Sequence, residues 1–120
     1  MVKRKHHELR VWQAAMTLVR EVYAISASFP REETFCLTSQ MRRAAISVPS
    51  NIAEGAARAT QKEFLHFLHV ARGSLSELET HYLIAKQLGY FASFNVNAFE
   101  ERLEEVFGLL GGLIQSQRLG

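Results

Sequence analysis

The sequence predicts an all-α protein, folded as an antiparallel up-down-up-down four-helix bundle. Three observations lead there. Apolar residues recur at helical spacing in four separate stretches, and no stretch alternates as a strand does or carries an Asn-Gly or Asp-Gly hairpin turn. The 12 acidic residues are all Glu, the better helix former than Asp. The breaks between the stretches are short, which leaves consecutive helices antiparallel. A chain of 120 residues is long enough for one domain with a core of its own. Residues 1–8 read as a basic, flexible tail and residues 9–120 as the bundle.

The first helix is expected from Leu9 to Ser28, ended at Phe29-Pro30 because the residue before a proline is pushed out of helical geometry. Its apolar arc includes Val11, Trp12, Ala15, Met16, Leu18, Val19, Val22, Tyr23 and Ile25. Such an arc is wider than the stripe of about 100° that one core requires, so the helix is expected to serve both the core and a subunit interface. The second helix is expected to begin at Glu32 or Glu33, whose charges suit the positive end of the helix dipole, and to run to Gly55–Arg58. Pro49 lies inside it and is expected to kink it near Val48, with Ser47 or Ser50 bonding the freed carbonyl of Ala45.

Around that proline the wheel holds three stripes. Leu37, Met41, Ala44, Val48 and Ile52 form a core stripe, and beside it run Gln40, Arg43, Ser47, Ser50, Asn51 and Glu54. Beyond these, Ala45, Ile46, Pro49, Ala53, Ala56 and Ala57 make a second apolar face, expected to pack on another subunit. The third helix opens with the capping box Thr60-Gln61-Lys62-Glu63, buries Phe64, Leu68, Ala71, Leu75, Leu78 and Tyr82, and ends at Leu88 with Gly89 as its cap. Gly73 within it suggests a close backbone approach. The fourth helix is expected from Asn95 or Asn97, capped by Asn97 with Glu100. It buries Phe99, Leu103, Val106, Leu110 and Leu113, turns its glutamates away, and frays from Gln115.

Arg42-Arg43-Ala44-Ala45, then Ser47-Val48-Pro49-Ser50-Asn51-Ile52-Ala53-Glu54-Gly55, then Gly73-Ser74 and Glu77-Leu78 resemble the small four-helix-bundle proteins encoded in intervening sequences of bacterial 23S ribosomal RNA genes. The resemblance extends from Leu9-Arg10-Val11-Trp12-Gln13-Ala14 through Leu88-Gly89-Tyr90. It implies an antiparallel bundle, a ring-shaped homopentamer, and a relation to the accessory variability protein of diversity-generating retroelements, which binds nucleic acid and a reverse transcriptase. The family carries no settled biochemical role.

The residues offer little for catalysis. Glu63 and His66 have the Glu-x-x-His spacing of a di-iron bundle, but no second such pair follows, and His66 shares a polar face with Lys62, His69, Ser76 and Thr80. There is no phosphate-loop or nucleophile-elbow motif, nor an Arg followed four to six residues later by His. No metal or cofactor is expected, and no enzyme. The single cysteine, Cys36, cannot form an internal disulfide and is expected to serve packing in a reducing compartment. The basic start is not followed by an export or membrane-spanning run, so a cytoplasmic protein is expected.

A net charge of +2 does not announce a nucleic-acid-binding protein, but the charge is unevenly placed. Glu100, Glu101, Glu104 and Glu105 gather near the C-terminus, whereas Lys3, Arg4 and Lys5 open the chain and Arg42, Arg43, Arg58, Lys62 and Arg72 occupy its middle. Two readings stand. These cations contact RNA or DNA phosphates without reading sequence, their effect multiplied by oligomerisation. Alternatively the chain is a scaffold for a protein partner, in which Gln40, Arg43, Ser47, Asn51, Glu54 and Glu77 form a structural polar network and Arg43, Glu54, Arg72 and Glu77 pair as ions.

Overall fold

The computed structural model describes all residues from Met1 to Gly120. Four α-helices carry the chain: α1 (Arg10–Ser26), α2 (Leu37–Ala56), α3 (Gln61–Gln87) and α4 (Asn97–Leu119), with 3-10 turns at Lys5–Glu8 and Arg31–Glu33. No strand is present. Each helix packs closely on two others: α2 lies against α1 and α3, and α4 closes the set against α1 and α3, while the backbones of α1 and α3, and of α2 and α4, stay further apart across the core. The body measures 44 × 27 × 22 Å. No helix is long and apolar enough to cross a membrane.

The stripes read from the sequence supply the core. Met41, Val48, Ile52, Leu68, Ala71, Leu75, Leu78, Val106 and Leu110 are wholly enclosed, joined by Leu18 and Val22 of α1. On α4 the stripe ends on Ile114 rather than Leu113, which is only half-buried. At the α1–α2 turn Phe29 meets Tyr90 and Phe91 at 5.3 and 5.5 Å between ring centres, and Tyr82 stacks on Phe91 and meets Phe99 at a tilt. Aromatic pairs at these separations add specific geometry to the area that they bury.

Local chemistry decides where the helices stop. Thr60 caps α3, its hydroxyl oxygen accepting from the Glu63 amide at 3.1 Å. Gly89 takes φ +80° just past its end; its amide bonds Lys86 O, and that of Tyr90 bonds Ala85 O. Those two bonds are a Schellman closure, which needs a residue at ease in left-handed geometry.

Several boundaries differ from the reading of the sequence. α2 starts at Leu37, not at Glu32 or Glu33, because Glu33 is held in the 3-10 turn: its carboxylate accepts from the Tyr90 hydroxyl at 2.7 Å and from the Leu37 amide at 3.4 Å. The start of α4 is braced by Asn95, whose side-chain oxygen accepts from the Asn97 amide at 3.0 Å; Asn97 makes no cap bond. Helix geometry continues past Gln115 to Leu119. Cys36 and its neighbour Phe35 are exposed, so the thiol does not serve packing. α1 ends two residues early, at Ser26.

The two wide apolar surfaces largely cover each other. Ala45, Pro49 and Ala56, on the second face of α2, are buried within the chain, and α1 packs on that helix. Neither serine bonds the Ala45 carbonyl: Ser50 donates to Ile46 O at 2.8 Å, and Ser47 turns to α3.

The close approach expected at Gly73 falls elsewhere. Nothing lies within 4 Å of where a Cβ would stand at Gly73, whereas at Gly55 it would sit 2.7 Å from Phe67 Cβ and 3.0 Å from Phe64 Cδ1. α2 and α3 therefore approach closely at the turn that joins them. Gly55→Ala should destabilise the protein by about 1–3 kcal/mol through overpacking, outweighing the propensity gain. Gly73→Ala should stabilise it by about 1 kcal/mol. Thermal melts of the two variants test this, and a Gly55→Ala protein at least as stable as the parent would show that the contact is not tight.

Candidate nucleic-acid interface

The polar stripe of α2 faces α3, and its members do not act alike. Ser47 Oγ and Ser74 Oγ lie 2.8 Å apart, and the Asn51 amide donates to Ser47 O at 2.8 Å and to Ser47 Oγ at 2.9 Å. Ser47, Asn51 and Ser74 thus form a half-buried polar clasp between the two helices. Toward the other end of this seam, Gln40, Arg43, Ala44, Ser47 and Glu77 wall an open hollow. Ser50 does not belong to the stripe; it lines the α1–α2 groove instead. Within the chain Arg43, Glu54, Arg72 and Glu77 do not pair with one another: Glu54 is bonded by Arg58 at 3.4 Å, and Glu77 lies 3.8 Å from His81. His81 is buried, and its Nδ1 has no partner.

Of the two adjacent arginines, Arg42 is committed to the fold. Its Nε donates to Ser26 Oγ at 2.9 Å, Nη2 reaches Tyr23 O at 3.4 Å, and the guanidinium lies 4.4 Å over the Tyr23 ring. Ser26, buried at the end of α1, in turn donates to Val22 O at 2.6 Å. Arg42 therefore closes the C-terminus of α1, where a cation also meets the negative end of the helix dipole. Arg43, one residue on, is exposed and belongs to none of the chain's ion pairs.

The remaining cations occupy two regions. Arg58 sits at the α2–α3 turn, between Glu54 and Glu63 and 4.8 Å over the Phe67 ring, and it shares a cleft with Lys5 and Gln117. In the first eight residues Lys3 pairs with Glu8 at 2.8 Å, Arg4 donates to Val2 O, and His6 and His7 lie 5.1 and 5.2 Å from the Trp12 ring. On the outer face of α3 Lys62 is exposed and unpaired, and Arg72 reaches only the His69 ring, at 3.1 Å. The sequence reading missed Arg118, Ser74 and His81, whose partners are on other helices or a turn away.

The acids of α4 do not all point away. Glu100 accepts from the Tyr82 hydroxyl at 2.5 Å and from Lys86 at 2.8 Å, and Arg102 ties α4 to Glu21 of α1 and to Glu105. Lys86 first, and then Tyr82, hold the Glu100 carboxyl below the usual carboxylate range, while Tyr82 is pushed up by burial and by Glu100. No group of three or more His, Cys or Glu side chains is placed to hold a metal ion.

Arg42→Ala should cost about 1–3 kcal/mol, the range for a charged donor leaving its partners, and should leave any nucleic-acid affinity unchanged; a melt and a binding isotherm check both. The folded-state pKa of Glu100 lies below its unfolded one, so its contribution is complete above the unfolded value of about 4.3 and is lost as pH falls through the folded value. Glu100→Gln should therefore flatten the acid side of the stability–pH curve. A curve superimposable on that of the parent would contradict this.

No curated protein matches the chain. The profile of the family described as 23S rRNA-intervening sequence protein matches residues 7–112, taking in all of α1, α2 and α3 and most of α4. The chain belongs to the 23S rRNA-intervening sequence protein family.

Proposed function

We propose that this protein is a non-catalytic, oligomeric helical-bundle accessory protein that holds RNA or DNA through its phosphates without reading sequence. The observation that carries the reading is the set of unpaired cations on the outer sides of α2 and α3: Arg43, Lys62 and Arg72 make no contact with a carboxylate. Such groups lose little on meeting a phosphate, because no internal pair has to break. Lys5 and Arg58 share a cleft at the α2–α3 turn and extend the positive surface there, with Lys3 and Arg4 just before Lys5 in the chain. Arg42 drops out of the contact set. No row of exposed aromatic rings accompanies these cations, which fits backbone contact and not base stacking.

Assembly belongs to the same reading. Trp12, Met16, Val19, Ile46, Pro49 and Ala53 line an apolar groove between α1 and α2, with Met16 and Ile46 38% and 41% exposed. Val70 and Ile84 of α3, and Leu88 just past its end, are also exposed. Two unlike apolar faces favour a head-to-tail contact, which closes into a ring when the rotation allows. The resemblance supplies the number five and the relation to the accessory variability protein. We also infer the up-down-up-down course from the short connections and the pairing of neighbours, a bend of α2 at Pro49 from its missing amide, and a cytoplasmic setting.

A second reading has one observation in its favour: Arg42 and Arg58 bond within the protein, as in a scaffold whose arginines are structural. Binding of RNA and of duplex DNA at several salt concentrations, with mass measured by light scattering in the same buffers, separates the two. The proposal expects an oligomer whose log affinity falls linearly with log salt, by about 0.9 per phosphate neutralised on duplex DNA. An intact oligomer that binds neither at low salt would overturn it. An Arg43→Ala variant with weakened assembly and unaltered binding would point to the scaffold.

A further inference from the structure

His69 sits between two arginines from different helices. Arg72 Nη2, one turn along α3, is 3.1 Å from His69 Nδ1, and Arg118 Nη2, in the last turn of α4, is 3.4 Å from His69 Nε2. Neither arginine belongs to an ion pair. A guanidinium has only N–H donors, and a neutral imidazole has one N–H and one lone pair. One of the two contacts must therefore set donor against donor, whichever tautomer the ring adopts. Protonating the ring makes matters worse, since both nitrogens then donate. Partial burial, followed by Arg72, Arg118 and His66, accordingly holds the imidazole below its ordinary pKa.

What this arrangement lacks is acceptors, supplied from outside. Two guanidiniums at opposite edges of one ring present themselves to neighbouring anionic groups, and Lys62 adds a further cation on the same helix, seven residues before His69. We propose that His69, Arg72 and Arg118 clamp consecutive backbone phosphates of a nucleic-acid strand lying across the α3–α4 ridge. This rests on the nucleic-acid reading above and names its contact. As the strand seats, the guanidinium that faces the ring N–H turns to a phosphate oxygen, and that N–H donates to the same backbone. The other arginine keeps its bond to the ring lone pair while its remaining donors take the next phosphate. Arg118 lies beyond residues 7–112, which the family profile covers.

The test uses the full-length protein, a short single-stranded RNA, and inorganic phosphate at matched phosphate concentration. Histidine ring signals are followed by NMR, and affinity is followed against salt for the parent, Arg118→Gln and Arg72→Gln, with melts to confirm that each variant is folded. The clamp requires RNA to move the His69 signals, inorganic phosphate to move them less, and His81 to stay still. Each variant should bind about two- to fivefold more weakly, as for an exposed charge contact, and lose about 0.7 from the salt slope on single strands. RNA bound with His69 unmoved, or with equal affinity and slope in the folded Arg118→Gln protein, overturns the clamp and leaves the nucleic-acid reading standing. Inorganic phosphate acting as strongly as RNA also overturns it. A parent protein that binds no RNA brings down the nucleic-acid reading itself.

Discussion

The rest of the structure depends on how closely α2 and α3 pack. At Gly55 the backbone comes against Phe64 and Phe67 with no room for a Cβ, and along the same seam Ser47 and Ser74 bond across the helices while Asn51 holds Ser47 in place. Side chains as small as glycine and serine let the two axes approach, and the polar ones satisfy each other where water is thin. With α2 drawn onto α3 on one side, its second apolar face is left for α1. That is why a helix that looks doubly amphipathic is stable within a single chain.

The same packing sorts the charges. Arg42 closes the end of α1, Arg102 ties α4 to α1, and Lys86 and Tyr82 hold Glu100 between α3 and α4. Each of these cations has an acceptor supplied by the fold. Arg43 and Lys62 have none, Arg72 and Arg118 share the single lone pair of the His69 ring, and all four are on the outer sides of α2, α3 and α4. A modest net charge thus separates into cations that hold helices together and cations that meet no carboxylate, which residue counts cannot distinguish.

Much of the bundle could be read from the chain because its signals are local. The Thr60 cap, the Gly89 closure and the apolar stripe of α3 depend on residues within a turn or two of one another, and they stand where the sequence put them. What could not be read depends on pairs distant in sequence. Glu33 looks like a helix start until Tyr90, 57 residues away, takes its carboxylate. Gly55 and Gly73 look alike until the neighbouring helix is in place. Arg42 and Arg43 differ only by a wheel position, and Ser26, 16 residues back, decides which is structural. His69 reads as a solvated polar residue because Arg118 is 49 positions on.

The central claim is that the seam between α1 and α2 serves the fold and that the unpaired cations on the outer sides of α2 and α3, with the end of α4, meet the ligand. Amide hydrogen exchange of the full-length protein, with and without bound RNA, tests it most directly. The account expects RNA to slow exchange in the Lys62–Ser76 stretch and in the last turns of α4, with the facing segments of α1 and α2 around Met16 and Ile46 unchanged. Protection confined to those two segments, with α3 and α4 unaffected, would contradict it.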